Sequence, residues 1–161
     1  MRSPALRLAL LMLLVLPAAC TPEPRPIRYG EDACAHCIMT VSDARYGAEL
    51  VTTTGKTYVF DSIECLAGYL LQERDGADRV HSLWVTDFEQ PGTLVPAQDA
   101  VFLHSPALRS PMGMNLTAFA PTADPARLRA EHGGEILTWD DVLALVRTRQ
   151  PAGDHAHTLP H

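Results

Sequence analysis

The chain is poor in lysine. Lys56 is the only one among 161 residues, and the formal charge is −6. Removal of residues 1–19 takes away Arg2 and Arg7 and lowers that charge to −8, which argues against nucleic acid as a partner. No apolar run is long enough to span a bilayer, the longest being Leu8 to Leu16. No paired catalytic carboxylates, nucleophile–base signature or phosphate-binding loop stands out, so an enzyme is not expected. Cysteine is scarce as well: Cys20, Cys34, Cys37 and Cys65 make up the whole set.

What is present begins with an export signal. Two arginines, a short apolar run and the small pair Ala18-Ala19 precede Cys20. Residues 1–19 read as a signal peptide, with Cys20 as the lipidated first residue of the exported chain. Pro17 departs from the branched aliphatic residue usual at that place. A lone thiol at an exported N-terminus would be a liability, which favours lipidation of Cys20. The expected location is a membrane-anchored lipoprotein facing the periplasm or cell exterior. Pro22, Pro24 and Pro26 make residues 20–30 an extended tether between lipid and domain. Three cysteines then remain in an oxidising compartment, and they cannot all pair within the chain. At least one is therefore expected to be held as a thiolate by something, or to be buried and inert.

The segment 31–150 reads as an α+β domain in two units of the same order, 31–90 and 91–150. Residues 47–60 alternate and break at Thr54-Gly55, giving a hairpin with strands near 46–53 and 56–60. Asp61 is expected to cap the following helix, with Glu64 as its reciprocal partner. Ile63, Leu66, Ala67, Leu70 and Leu71 fall on one helical face, and Asp75-Gly76 closes it. A strand follows at 79–88. In the second half, strands are expected at 93–105 (split by Pro96), 114–122 and 135–139. Asp124-Pro125 opens a helix ending at His132 and Gly133-Gly134. Thr138 and Asp141 box the start of a last helix, 139–149, with Trp139, Val142, Leu143 and Val146 inward. Strand–strand–helix–strand thus occurs twice, as two small ββαβ units packed together with antiparallel or mixed sheets and short helices. Residues 151–161, with His155, His157 and His161, read as a disordered tail.

The stretch "CAHCIM", residues 34–39, sets Cys34, His36, Cys37 and Met39 in what reads as a loop. Thiolate and thioether are soft donors suited to Cu(I), whereas Zn²⁺ gains little from a thioether. Alone, the cysteine pair fits a disulfide as well as a metal, Met39 fits a core gap-filler, and His36 fits a solvated loop residue. A second group, His104, Met112 and Met114 in "HSPALRSPMGMN" (104–115), shifts the balance. A Pro/Gly turn is an odd place to bury a packing methionine and a reasonable one from which to present sulfur. Cys65 reads first as a partly buried small hydrophobe on the helix face opposite Ile63 and Leu70, and second as a resolving thiol.

The pattern C-x-x-C-x-M ahead of Gly47-Ala48, then "PMG" followed by "AF", then "HGGEILTWDDV", resembles the NosL family over about residues 31–146. These are copper-binding lipoproteins of the nitrous oxide reductase accessory system. Two departures stand out. Ile38 occupies a place where the family usually has glycine, and "TLVPAQDA" lacks the usual tryptophan of the stretch before the second unit. The resemblance implies the doubled ββαβ fold and Cu(I) binding. It implies transfer to the nitrous oxide reductase apoprotein, through an ABC-type membrane complex. It implies Cys37, Met39 and Met112 as ligands with Cys34 as a fourth, while Met114 and His104 match no motif of their own. Two other readings stay open: a thiol–disulfide oxidoreductase using Cys34 and Cys37, and a structural zinc site of Cys34, Cys37, Cys65 and a histidine.

Overall fold

A computed structural model describes residues 21–72 and 79–149. The signal sequence, Cys20, the Asp75-Gly76 helix stop and the 151–161 tail lie outside them. The alternating stretch after Gly47 folds back on itself as expected. Strand β1 (Ala48–Thr52) pairs antiparallel with β2 (Thr57–Phe60), placing Ala48 opposite Phe60 and Val51 opposite Thr57. The turn is closed by Gly55 N–H donating to the Thr52 carbonyl and by Lys56 N–H donating to the Thr52 hydroxyl, both at 2.9 Å. Helix α1 (Ile63–Gln72) follows, and β3 (Val80–Thr86) returns beside β1. Proline splits the next strand: β4 (Leu94–Pro96) pairs with β3, and β5 (Val101–His104) starts a new sheet. The first sheet is therefore β2-β1-β3-β4, and it extends past residue 90, so the expected division at 90/91 does not fall between the sheets. The second sheet, β6-β5-β7, adds β6 (Leu116–Phe119) and β7 (Glu135–Leu137). Every ladder among the described residues is antiparallel.

Local chemistry sets the second-half helices. Asp124 accepts the Ala126 N–H at 2.9 Å, with Pro125 opening α2 (Pro125–His132) and Gly133 closing it. Thr138 and Asp141 exchange N–H bonds at the start of α3 (Trp139–Arg149), completing the capping box. Gly134 is required, because a Cβ there would run into the backbone of His104. Trp139, Val142 and Val146 face inward.

The cap of α1 differs from expectation. Ser62, not Asp61, offers its hydroxyl to the helix, accepting the Cys65 N–H at 3.3 Å. The Asp61 carboxyl is drawn away by the backbone N–H of Ser42, and Glu64 bonds elsewhere. Helix α1 packs against the first sheet, β6 and α3 together. Residues Ile63 to Gly68 are consequently buried on every side, as befits a helix enclosed by core rather than lying on it. One apolar cluster joins Leu50, Phe60 and Val85 of the first unit to Phe102, Leu116 and Trp139 of the second.

The tether expected through residue 30 ends earlier. Arg25 N–H donates to Glu49 Oε2 at 3.1 Å, its guanidinium meets Asp32 at 2.7 Å, and Ile27 is buried. Residues 25–30 thus belong to the folded body, bonded to the central strand. Gly47 makes room for them: a Cβ there would lie 2.8 Å from Ile27 and 2.9 Å from the Tyr29 hydroxyl.

Glu49 is fully buried on β1 with one oxygen unpartnered, and burial raises its pKa from 4.5 to about 7, against the Arg25 N–H and charge. The Arg25 and Arg28 bonds hold Asp32 down at about 2. Asp32 therefore contributes stability that is fully present above its ordinary 3.8 and is lost as pH falls towards 2. For Glu49 the sign is opposite: the folded form binds the extra proton between 4.5 and about 7, so stability falls as pH rises through that window. Denaturant unfolding at pH 5 and pH 7.5 is expected to show lower stability at the higher pH. Glu49→Gln should flatten the difference.

Candidate metal centre

Residues 33–40 form a closed loop. Ala33 bridges Thr40, Cys34 N–H donates to the Met39 carbonyl at 2.8 Å, and Ile38 N–H donates to the Cys34 carbonyl at 3.0 Å. Ala35 N–H donates to the Val59 carbonyl, seating the loop on β2. Closing so tight a turn puts Ile38 at φ +66°, a left-handed conformation unusual for a β-branched residue. This gives a physical reason for the glycine that the resemblance implies at this place.

The loop brings Cys34 and Cys37 together, and α1 adds Cys65. The three sulfur atoms lie within 4.8 Å of one another, and all three thiols are free. Cys34 and Cys65 are buried and Cys37 is half-buried. Cys65, read from the sequence as a partly buried small hydrophobe, is fully buried in the core and also stands beside the other two thiols. The single apolar stripe placed it on the outer face of α1, but that face is covered and looks onto the loop.

The sulfurs are electrostatically unlike. Cys34 Sγ accepts a hydrogen bond from the Cys65 thiol and from the backbone N–H groups of Cys37, Asp61 and His36. Together these outweigh burial and lower its pKa, favouring the thiolate at this sulfur over the other two. Cys65, which donates to that thiolate and is buried, is pushed up. Cys37 is also raised, by burial and by the neighbouring Cys34, although the Met39 N–H pulls the other way. A soft cation bound among them would displace the protons that the cluster still carries.

The remaining candidates divide. The backbone of Met39 wraps the cysteines, while its side chain is 56% exposed. Met112 is 40% exposed in the turn between β5 and β6. With Ile38 these are the exposed large apolar side chains among the described residues. Met114, two residues from Met112, is half-buried and packs against the main core. His36 gives its backbone N–H to Cys34. Neither the His36 nor the His104 imidazole joins the sulfur group, so a Cys₃His site is not assembled among the described residues. His104 ends β5, opposite Leu116 and Glu135.

These features define a small α+β domain whose helix and loop enclose a three-thiol centre suited to soft metal. The NosL family profile matches residues 27–146, and the chain belongs to that family. The start of the match agrees with the docking of residues 25–30. The copper-binding lipoprotein NosL of Stutzerimonas stutzeri is 27% identical over 139 residues, covering 80% of this chain and 73% of that protein. The crystal structure of the copper chaperone NosL from Shewanella denitrificans superposes with a TM-score of 0.63 at 21% identity. It covers 74% of this chain and 95% of that one. At that identity the likeness is one of fold.

Replacing Ile38 by glycine should relieve a left-handed strain of about 1–3 kcal/mol, against about 0.5–1 kcal/mol of added unfolded-state entropy. The side chain is 76% exposed, so little burial is lost. Ile38→Gly is expected to raise unfolding free energy by about 1 kcal/mol, measured by denaturant titration of the reduced protein.

Proposed function

We propose that this chain is an exported carrier of Cu(I), anchored by lipid on Cys20, and not an enzyme. The observation that carries the reading is the gathering of three free sulfurs within 4.8 Å, with no histidine in the group. Such a set suits a soft monovalent ion of low coordination number, whereas a structural Zn²⁺ takes four ligands. Cys37 and Cys34 serve as thiolate donors with Cys65 beside them. Met39 and Met112 add thioether sulfur, which brings no charge and no proton to lose. The relatives, a copper-binding lipoprotein and a copper chaperone, support cargo, anchor and role alike. The cargo's destination is the copper site of the nitrous oxide reductase apoprotein, through an ABC-type membrane complex.

The thiol–disulfide oxidoreductase is less well supported. An attacking thiol needs low pKa and access together. Here the acidic sulfur, Cys34, is buried, and the accessible one, Cys37, has its pKa raised.

Anaerobic titration of the reduced protein with Cu(I) and with Zn²⁺ tests the reading. Cys37→Ser should abolish tight Cu(I) binding. Met39→Leu with Met112→Leu, nearly volume-conserving at under about 1.5 kcal/mol each in stability, should lower Cu(I) affinity at least about tenfold and leave Zn²⁺ affinity unchanged. Unchanged Cu(I) affinity in the double variant, with zinc present in protein as isolated, would favour the zinc site.

A further inference from the structure

Met112 lies on a turn between β5 and β6, far in sequence from the cysteine loop, and one buried contact fixes where that turn sits. The Ser110 hydroxyl donates to Oε1 of Glu64, in the first turn of α1 and adjacent to Cys65. The same Ser110 Oγ accepts the Asn115 N–H at 2.8 Å, and the Ser110 carbonyl accepts the Gly113 N–H at 3.0 Å. Asn115 takes the left-handed conformation at φ +59°, and its carbonyl accepts the Ser105 N–H at 3.1 Å. The turn 110–115 is thus closed upon Ser110, and Ser110 is fastened to the residue preceding Cys65.

Glu64 is 4% exposed, and its Oε2 is buried without a hydrogen-bond partner. A buried carboxyl with one oxygen unsatisfied costs free energy that an apolar residue would not. On stability grounds alone a leucine would serve better within this enclosed helix. What Glu64 supplies instead is a fixed point for the turn, across a separation of 46 residues. Met112 itself is exposed and has little packing of its own to place it.

We propose that Glu64 and Ser110 form a latch that positions the Met112 thioether for the metal bound at the cysteine cluster. Glu64 is a positioning residue, acting through Ser110 and not touching the metal. The latch rests on the Cu(I) reading above and adds the means by which a distant turn joins the site.

A double-mutant cycle on the purified full-length protein tests it, with Cu(I) affinity read by competition with a chromophoric Cu(I) chelator. Met112→Leu alone should weaken binding by about tenfold, and Ser110→Ala alone by a similar factor. With Ser110→Ala already present, Met112→Leu should cost nothing further. Glu64→Ala should behave as Ser110→Ala does. Glu64→Gln and Ser110→Thr, which keep an acceptor and a hydroxyl, should restore the Met112 dependence. Circular dichroism checks each variant, and if Ser110→Ala fails to fold, the Glu64→Ala cycle decides. A merely structural role would weaken binding without abolishing the Met112 dependence. An equal Met112→Leu penalty in both backgrounds overturns the latch and leaves the Cu(I) reading standing. No Met112→Leu effect in the parent with the latch intact, with Cys37→Ser still abolishing binding, overturns the latch and leaves a thiolate-only site. Loss of Cu(I) binding as a property of the parent protein defeats both.

Discussion

The first turn of α1 is the constraint on which the rest depends. It starts at the end of β2, is capped by Ser62, and is enclosed by both sheets and α3. Its entry gives the Asp61 N–H to Cys34, its interior carries Cys65, and its Glu64 fastens the β5–β6 turn. The main core runs through it from one unit to the other. A helix held this way cannot shift without moving the thiols, so packing of the two units and geometry of the site are one problem.

The sequence was legible where local chemistry decides. The Thr54-Gly55 turn, the break at Pro96, the Asp124-Pro125 start and the Thr138–Asp141 box each depend on neighbours within a few residues. Positions governed by distant partners were not legible in the same way. Asp61 is as good a cap as Ser62 until the Ser42 N–H claims its carboxyl. The proline-rich stretch reads as a tether until Glu49 and Asp32 bind Arg25. Cys65 is more deeply buried than expected because periodicity reports one apolar face, whereas residues 63–68 of α1 are buried all round. A run as apolar as "IECLAGYLL" was the available signal that the helix is enclosed. Met112 and Met114 show the limit most plainly: two residues apart in one turn, one is exposed and the other joins the core.

The loop of residues 33–40 trades local comfort for a charge-stabilising pocket. Its closure aims the N–H groups of His36 and Cys37 at Cys34 Sγ, and the same closure forces Ile38 to a left-handed φ. Three backbone donors and the Cys65 thiol then hold a thiolate where burial would otherwise protonate it. Negative charge at Cys34 is therefore favoured first by the Cys65 thiol and then by backbone N–H groups, with no basic side chain among the causes.

That arrangement also sorts the sulfurs by access. Cys34 and Cys65 are buried, Cys37 is half-buried, and the Met39 and Met112 side chains are at the surface. An ion held by such a set would be gripped from inside by charge and approached from outside through neutral thioethers. Ligand exchange with an incoming partner would begin at the thioethers, because replacing one leaves the charge balance of the centre untouched. The thiolate would be given up last, when a donor of equal charge has already arrived. A site made of buried thiolates alone would have no such entry, and one made of exposed thioethers alone would have no charge to hold the ion. In such a set the cysteine loop and α1 would supply the buried sulfurs, and Met39 and Met112 the exposed ones from two separate turns, so the attachment of both turns beside the first turn of α1 matters more than either motif by itself.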